Sequence, residues 1–273
     1  MKLNKTWNVL PLLALSVGAL GCQREDKVTK ERLDKMIAQA EDLEKKVDKA
    51  GQGRGGGAPS GPQPGRPDPT AVYSVPIDGN PMHGPATAKV TIVEAAEFAC
   101  PFCLRVNGTI EELQKQYGED LRVVWKHYVV HPQVATLPAL AVCAAQKQGK
   151  PFEFMKLIWT KSWENGRMKD LSEASMDSYA KELGLNMEKY KADTQGDACK
   201  SLIAKDQQQL AAVGTRGTPA FYINGRFLSG AQPIERFKEV IDDELKKANE
   251  ALKAGKKAEE YYSSIVSSGK KSL

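Results

Sequence analysis

The hydrophobic spacing changes period several times between residues 71 and 248. Val90, Thr91, Ile92 and Val93 form a β-branched run within AKVTIVEAAEF (88–98), which predicts a buried strand. Residues 101–117 then set Val106, Ile110 and Leu113 on one side of a helix, with Gly118 as its stop. LRVVWKHYVV (121–130) predicts a second strand. From about 133 to 213 helical spacing dominates, through VATLPALAVCAAQKQGK, PFEFMKLIWTKSW, LSEASMDSYAKELGL and DACKSLIAKDQQQLAAVG. TPAFYINGRFLSG predicts strand, turn and strand, because Asn224-Gly225 is the strong signal of a two-residue hairpin loop. PIERFKEVIDDELKKA closes as a helix with Pro233 near its start. AVYSVPI (71–77) alternates like a short edge strand, and residues 249–273 predict a helical tail around KAEEYYSSIV. The order β, α, β, helical block, β-hairpin, α is that of an α/β unit interrupted by a helical insertion.

Upstream of residue 71 the pattern is different. Residues 51–70, GQGRGGGAPSGPQPGRPDPT, are dense in Gly and Pro with almost nothing to bury, and predict a linker. Before it, Leu33, Met36, Ala40, Leu43 and Val47 are spaced 3, 4, 3, 4 on a charged helix. That stripe covers little more than two heptads, so residues 28–50 read first as a helical spacer and second as a face for homodimerisation. Residues 1–21 have the pattern of an export signal. Lys2 and Lys5 form a basic start, and a mostly apolar run from Trp7 to Leu20 is too short for a comfortable membrane span.

Composition narrows the function classes. Hydrophobic residues make up 41% of the 273, enough for a real core. The formal charge is only +5, from 39 basic and 34 acidic side chains, and no basic block interleaved with aromatics occurs. Nucleic acid is therefore not an expected partner. Export implies an oxidising compartment in which disulfides persist. Five cysteines, at 22, 100, 103, 143 and 199, are an odd number that such a compartment does not leave unexplained. Cys22 ends the signal in ALGC, which resembles the lipobox of bacterial lipoproteins although Ala19 stands where Leu is preferred. A lipidated Cys22 would anchor the chain to a membrane on the periplasmic side of a bacterial envelope. It would also leave four cysteines. Cys100 and Cys103 make one pair. Cys143 and Cys199 make a structural disulfide across the helical block or stay as two buried thiols.

Cys100-Pro101-Phe102-Cys103 is the chemically informative stretch. A strand ending at Ala99 and a helix starting near Pro101 put Cys100 at a helix N-terminus, where unpaired N–H groups and the macrodipole favour a thiolate. Cys100 is then the nucleophile, and Cys103, one turn inside, the resolving thiol. A haem site would need His where Leu104 stands, and a structural zinc site a second close pair of ligands, so no metal is expected.

The stretch VTIVEAAEFACPFC, the long helical insert, GTRGTPAFYING and the closing helix resemble the DsbA-like family of exported thiol-disulfide oxidoreductases. The resemblance covers about residues 71–248. It implies a thioredoxin-like fold with an inserted helical domain, and a cis Thr218–Pro219 bond facing the cysteines, where Thr218 and Pro219 line a substrate groove. It implies no cofactor beyond the cysteines, exported proteins bearing thiols or disulfides as substrates, and a recycling redox partner. Glu94, six residues before Cys100, matches a buried acid that exchanges a proton with Cys103, against the simpler reading of an exposed strand-end carboxylate. Glu97 reads as surface and His131 as a loop histidine without a role; His83 and His127 are left unassigned. Disulfide isomerase or reductase activity, or a tethered thioredoxin-like module that holds exported chains, are the alternative functions.

Overall fold

A computed structural model describes residues 65–273. The leader, Cys22, the 28–50 helix and most of the 51–70 linker lie outside the described residues. In chain order the elements are β1 (Met82–His83), β2 (Val90–Ala96), α1 (Pro101–Tyr117), β3 (Leu121–His127), α2 (Pro132–Gln146) and α3 (Pro151–Lys161). A small hairpin follows, β4 (Trp163–Glu164) and β5 (Arg167–Met168), then α4 (Glu173–Glu182), α5 (Met187–Gln195) and α6 (Asp197–Ala212). The last elements are β6 (Ala220–Ile223), β7 (Arg226–Ser229), α7 (Ile234–Lys253) and α8 (Ala258–Ser268).

Five strands form one mixed sheet in the order β1-β3-β2-β6-β7. β2 and β3 run parallel, joined by the crossover helix α1, while β2 with β6 and β6 with β7 are antiparallel. Every residue of β2 and β3 is buried, because helices cover both faces of the sheet centre. On one face Val90, Ile92, Leu121, Val123 and Phe221 pack with Val106, Ile110 and Leu113 of α1 and with Phe237 and Ile241 of α7. On the other, Val93, Ala95, Val124 and Tyr222 pack with Leu210 of α6 and Tyr262 of α8. This is the thioredoxin-like α/β architecture, with α2 to α6 inserted between β3 and β6.

Two segments depart from the sequence-based expectation. Residues 71–77 form no strand. They make isolated bridges, Val72 to Arg226 and Tyr73 to Lys270, and the sheet edge beside β3 is taken by β1. The alternation instead records burial, since Tyr73 and Val75 sit in the core. The helical block is also interrupted by the β4–β5 hairpin. Its turn, Asn165-Gly166, has positive φ at both residues, as a two-residue hairpin loop requires. The Asn224-Gly225 turn has the same conformation, and there a Cβ on Gly225 would come within 2.6 Å of the Tyr73 carbonyl oxygen.

The insert is closed by a disulfide between Cys143 of α2 and Cys199 of α6, 56 residues apart in sequence. A buried ion pair ties the insert to the sheet. Lys126 Nζ of β3 lies 2.7 Å from Asp206 Oδ1 of α6, and donates further to the carbonyl of Pro76 and to Asn80 and Gln209. Asp206 in turn accepts from the Asn80 amide and the His127 main-chain N–H. With Lys126 and Asp206 both shielded from water, this network satisfies two charges that would be very unfavourable alone.

Candidate active site

β2 ends at Ala96 and α1 begins at Pro101, so four residues turn the chain from the sheet into the helix. Cys100 occupies the N-cap position in extended conformation, with Pro101 at the first helical position, where its missing N–H breaks no helical bond. Cys103 N–H and Leu104 N–H both donate to the Cys100 carbonyl, at 3.1 and 3.2 Å, winding the first turn. That turn puts Cys103 into the core at 0% exposure, packed with Phe98, Trp125 and the helical insert, while Cys100 retains 5%. Both are free thiols. Phe102, between them, is about half exposed, and the Arg105 guanidinium lies 5.0 Å from its ring centre.

The register of β6 brings the second half of the site. Ala220 pairs with Ala95, so the residues before it run alongside the end of β2 toward Cys100. The Thr218–Pro219 bond is cis, and the Cys100 thiol donates to the Thr218 carbonyl at 3.3 Å. Cys100, Cys103, Thr218 and Pro219 are therefore brought together from segments more than a hundred residues apart.

The two thiols are driven in opposite directions. The Cys103 thiol, hydrogen-bonded to the Cys100 sulfur, holds Cys100 down at about 6 against an ordinary 9.0, and outweighs partial burial. The Thr218 hydroxyl and the N–H groups of Phe102 and Cys103 add to the lowering. The Thr218 carbonyl acts the other way, since only the protonated thiol can donate to it, but it is one contact against four. Cys103 is pushed far up, first by burial and then by the Cys100 sulfur that its own hydrogen serves.

Glu94 stands in the centre of the sheet, paired with Trp125 on one side and Phe221 on the other. Burial alone raises its carboxyl to about 8, and its Oε1 has no hydrogen-bond partner. Its charge is felt at Cys103. Both nearby sequence expectations for polar residues need correction. Glu97 is buried rather than surface. One carboxylate oxygen accepts from the main-chain N–H groups of Val130 and His131, at 2.7 and 2.9 Å, and the other accepts from the His131 ring Nδ1. His131 is accordingly not an idle loop residue. It stands at the N-cap position of α2, without a side-chain capping bond, and its ring is paired with Glu97. Nothing local in AEFACPFC marks Glu97 as buried, because its partners arrive from residues 130–131. His127 is buried and neutral, its imidazole pushed down to about 4 by desolvation. Among the described residues no group of three or more His, Cys, Asp or Glu is placed to hold a metal ion.

Comparison with known proteins follows this geometry. The family model of the DSBA-like thioredoxin domain matches residues 91–242, more than half of the chain. Similar solved structures include oxidised BdbD from Bacillus subtilis, with a TM-score of 0.59 and 23% identity, covering 64% of this chain and 98% of that one. A thioredoxin-like oxidoreductase from Silicibacter pomeroyi DSS-3 aligns with a TM-score of 0.55 and 23% identity, over 61% of this chain and 92% of that one. A periplasmic thioredoxin-like protein from Salmonella enterica serovar Typhimurium aligns with a TM-score of 0.53 and 20% identity, over 61% and 90%. At these identities the likeness carries the fold. Among curated proteins, the Na(+)/H(+) antiporter NhaA of Herminiimonas arsenicoxydans is 31% identical over 173 residues, 63% of this chain and 27% of that protein. NhaA 1 of Mycobacterium sp. (strain KMS) is 32% identical over 168 residues, 59% and 26%. This chain thus spans about a quarter of the length of these curated relatives.

Proposed function

The chain belongs to the DSBA-like thioredoxin domain family, and from that premise we propose that it is a protein thiol-disulfide oxidoreductase that donates its Cys100–Cys103 disulfide to exported proteins. The observation that carries the reading is the asymmetry of the pair. Cys100 is held near 6 at a helix N-terminus, and Cys103 is held protonated in the core. In the oxidised protein a substrate thiolate attacks Cys100 Sγ. The Cys100–Cys103 bond breaks, its electron pair leaves on Cys103, and a mixed disulfide forms at Cys100. Glu94, protonated below about 8, is the proton source for the departing Cys103 thiolate. A second substrate thiolate then attacks the substrate sulfur and expels Cys100 as a thiolate. Two substrate thiols become one disulfide, and the protein is left as the dithiol.

The low value at Cys100 also favours this direction. At pH 7 a thiol at about 6 stabilises the reduced form by on the order of 1 kcal/mol relative to one at 9.0, making the pair a few tens of mV more oxidising. Thr218 and Pro219, beside Cys100, line the groove in which the substrate chain lies. The proposed setting is the periplasmic side of a bacterial envelope, with Cys22 as lipid anchor and a separate redox partner that re-oxidises the pair. A homodimer through residues 28–50 would turn two such sites toward one substrate and favour isomerisation.

The test is equilibration of the Cys100–Cys103 pair against graded glutathione buffers, with thiols trapped and counted. A potential above that of thioredoxin (about −270 mV) supports disulfide donation. A thioredoxin-like value would make the protein a reductase or isomerase. A pair that never exchanges, with substrate binding intact in Cys100→Ala, would leave a binding module instead.

A further inference from the structure

Glu97 is a buried acid that the exchange steps do not use, and its side chain is fully occupied. Oε2 accepts from Val130 and His131 N–H, and Oε1 from the His131 ring. It sits three residues before Cys100, in the same turn between β2 and α1. The imidazole it holds is itself 58% exposed, so the pair reaches from the core to the surface, and the Tyr128 N–H bond to the Ala96 carbonyl, at 3.0 Å, holds this segment against the turn that carries Cys100. Resting on the oxidoreductase reading above, we propose that Glu97 and His131 are a positioning pair for Cys100, in which the buried carboxylate fixes the imidazolium where its charge favours the Cys100 thiolate.

The carboxylate has two tasks at one place. It neutralises the end of α2, whose N-terminal dipole would otherwise disfavour a positive imidazole there. It also restrains the ring through Nδ1, leaving Nε2 unconstrained by that contact. Glu97 raises the His131 imidazole above its ordinary 6.5, first by hydrogen bonding and then by charge, and the Cys100 thiolate raises it further. A raised imidazole is charged below its own midpoint, and a thiol near 6 is charged above that value. Both charges therefore coexist in a window that opens near pH 6 and extends past 6.5. The other titratable groups around Cys100 do not supply this cation. Cys103 from α1 and Glu94 from β2 are protonated through the window, and His127 from β3 is neutral there. Arg105 of α1, over the Phe102 ring, and Arg216 in the loop before Thr218 are guanidinium groups that the variants below leave unaltered, so the difference between variant and parent isolates the imidazole.

The experiment uses the full chain, reduced at Cys100 and Cys103. The Cys100 midpoint is read from the pH profile of alkylation by iodoacetamide, and the His131 midpoint from its imidazole NMR signals. Three variants are compared with the parent: His131→Gln, Glu97→Gln and Cys100→Ala. Glu97→Gln keeps a carbonyl oxygen for Val130 and His131 N–H, so the capping contact survives while the charge is removed. The expected result is a Cys100 midpoint raised by about half a unit in His131→Gln, which is about a threefold loss of thiolate below the midpoint, and a smaller movement in Glu97→Gln, where the weakened imidazolium is offset by the lost carboxylate charge. Coupling between two titrating sites is reciprocal, so Cys100→Ala must lower the His131 midpoint by a matching amount. A purely structural pair would leave the Cys100 midpoint unmoved in His131→Gln and the His131 midpoint unmoved in Cys100→Ala, and that result would overturn the proposal while leaving the low Cys100 midpoint, and hence the redox reading, intact. A parent Cys100 midpoint near 9.0 would instead remove both.

Discussion

Replacing Glu94 with Gln should shift stability progressively in favour of the variant as pH rises. The carboxyl is raised by burial from 4.5 to about 8, and its Oε1 has no partner to relieve the burial. Between those two values the unfolded chain gives up the Glu94 proton while the folded protein keeps it. Unfolding therefore releases a proton, and stability falls as pH rises from about 4.5 through about 8. Integrating that linkage for the Glu94 values gives a destabilisation close to zero at pH 4, ~3 kcal/mol at pH 7 and ~5 kcal/mol at pH 9. Gln does not titrate, so Glu94→Gln removes the whole pH-dependent part. It leaves a buried polar amide in the same space, whose unsatisfied hydrogens add a constant offset of about 1–3 kcal/mol in the opposite sense. The slope of the difference against pH is therefore the diagnostic quantity, rather than its value at any one pH. The assay is urea unfolding at pH 4, 7 and 9. A Cys100→Ala, Cys103→Ala background lets it run without reductant, and the Cys143–Cys199 disulfide stays closed. All other titrating groups cancel between the two variants. A stability difference that is flat from pH 4 to 9, or that shrinks as pH rises, would refute a buried, proton-retaining Glu94 and with it the proposed proton source for Cys103.

Three further outcomes follow from the same structure. Lys126→Met leaves Asp206 in the core without its 2.7 Å partner and should lower the unfolding free energy by about 3–5 kcal/mol in urea titrations. Adding Asp206→Leu should recover only part of that loss, because it leaves the Asn80 amide and the His127 N–H without their acceptor, and a single variant as stable as the parent would show the pair to be dispensable. Removing the Cys143–Cys199 bridge by a double Ala substitution frees a loop of 56 residues, which chain entropy values at about 4 kcal/mol, while the Cys100–Cys103 redox equilibrium should stay where it was. Among the described cysteines, iodoacetamide should label only Cys100 of the reduced folded protein, with a midpoint near 6, and Cys103 should stay unlabelled to pH 9 until the protein is unfolded.

The redox motif and the order of elements could be read from sequence because both are local. Pro101 starting a helix after a β-branched run, and Asn224-Gly225 between two short apolar runs, are decided by residues within a few positions of one another. Glu97, Lys126 and His131 were opaque for the opposite reason. Glu97 looks like any charged residue after a strand until α2 sets His131 on it, and Lys126 is buried only because Asp206 lies 80 positions further on. A strand covered on both faces loses the alternation that would separate inward from outward residues, so LRVVWKH gave no hint that its lysine points inward. The β4–β5 hairpin is a different case. Its Asn165-Gly166 signal is present, but strands of two residues leave too little pattern around it to interrupt a helical run.

The stretch from Val72 to Ser74 is fastened to the remainder of the fold by hydrogen bonds from Tyr73 N–H to the Gly225 carbonyl and from Ser74 N–H to the Lys270 carbonyl, and Lys270 N–H returns one to Val72. Mechanically, this is a strain relief. Tension arriving along the chain from the N-terminal side is taken up first by these bonds, against the β7 side of the sheet and the tail after α8. β2, which carries the active-site turn, and β3 beside it are loaded only after that fastening gives way. A pull from the N-terminal side would thus meet these bonds before it changed the spacing between Cys100, Thr218 and Glu97.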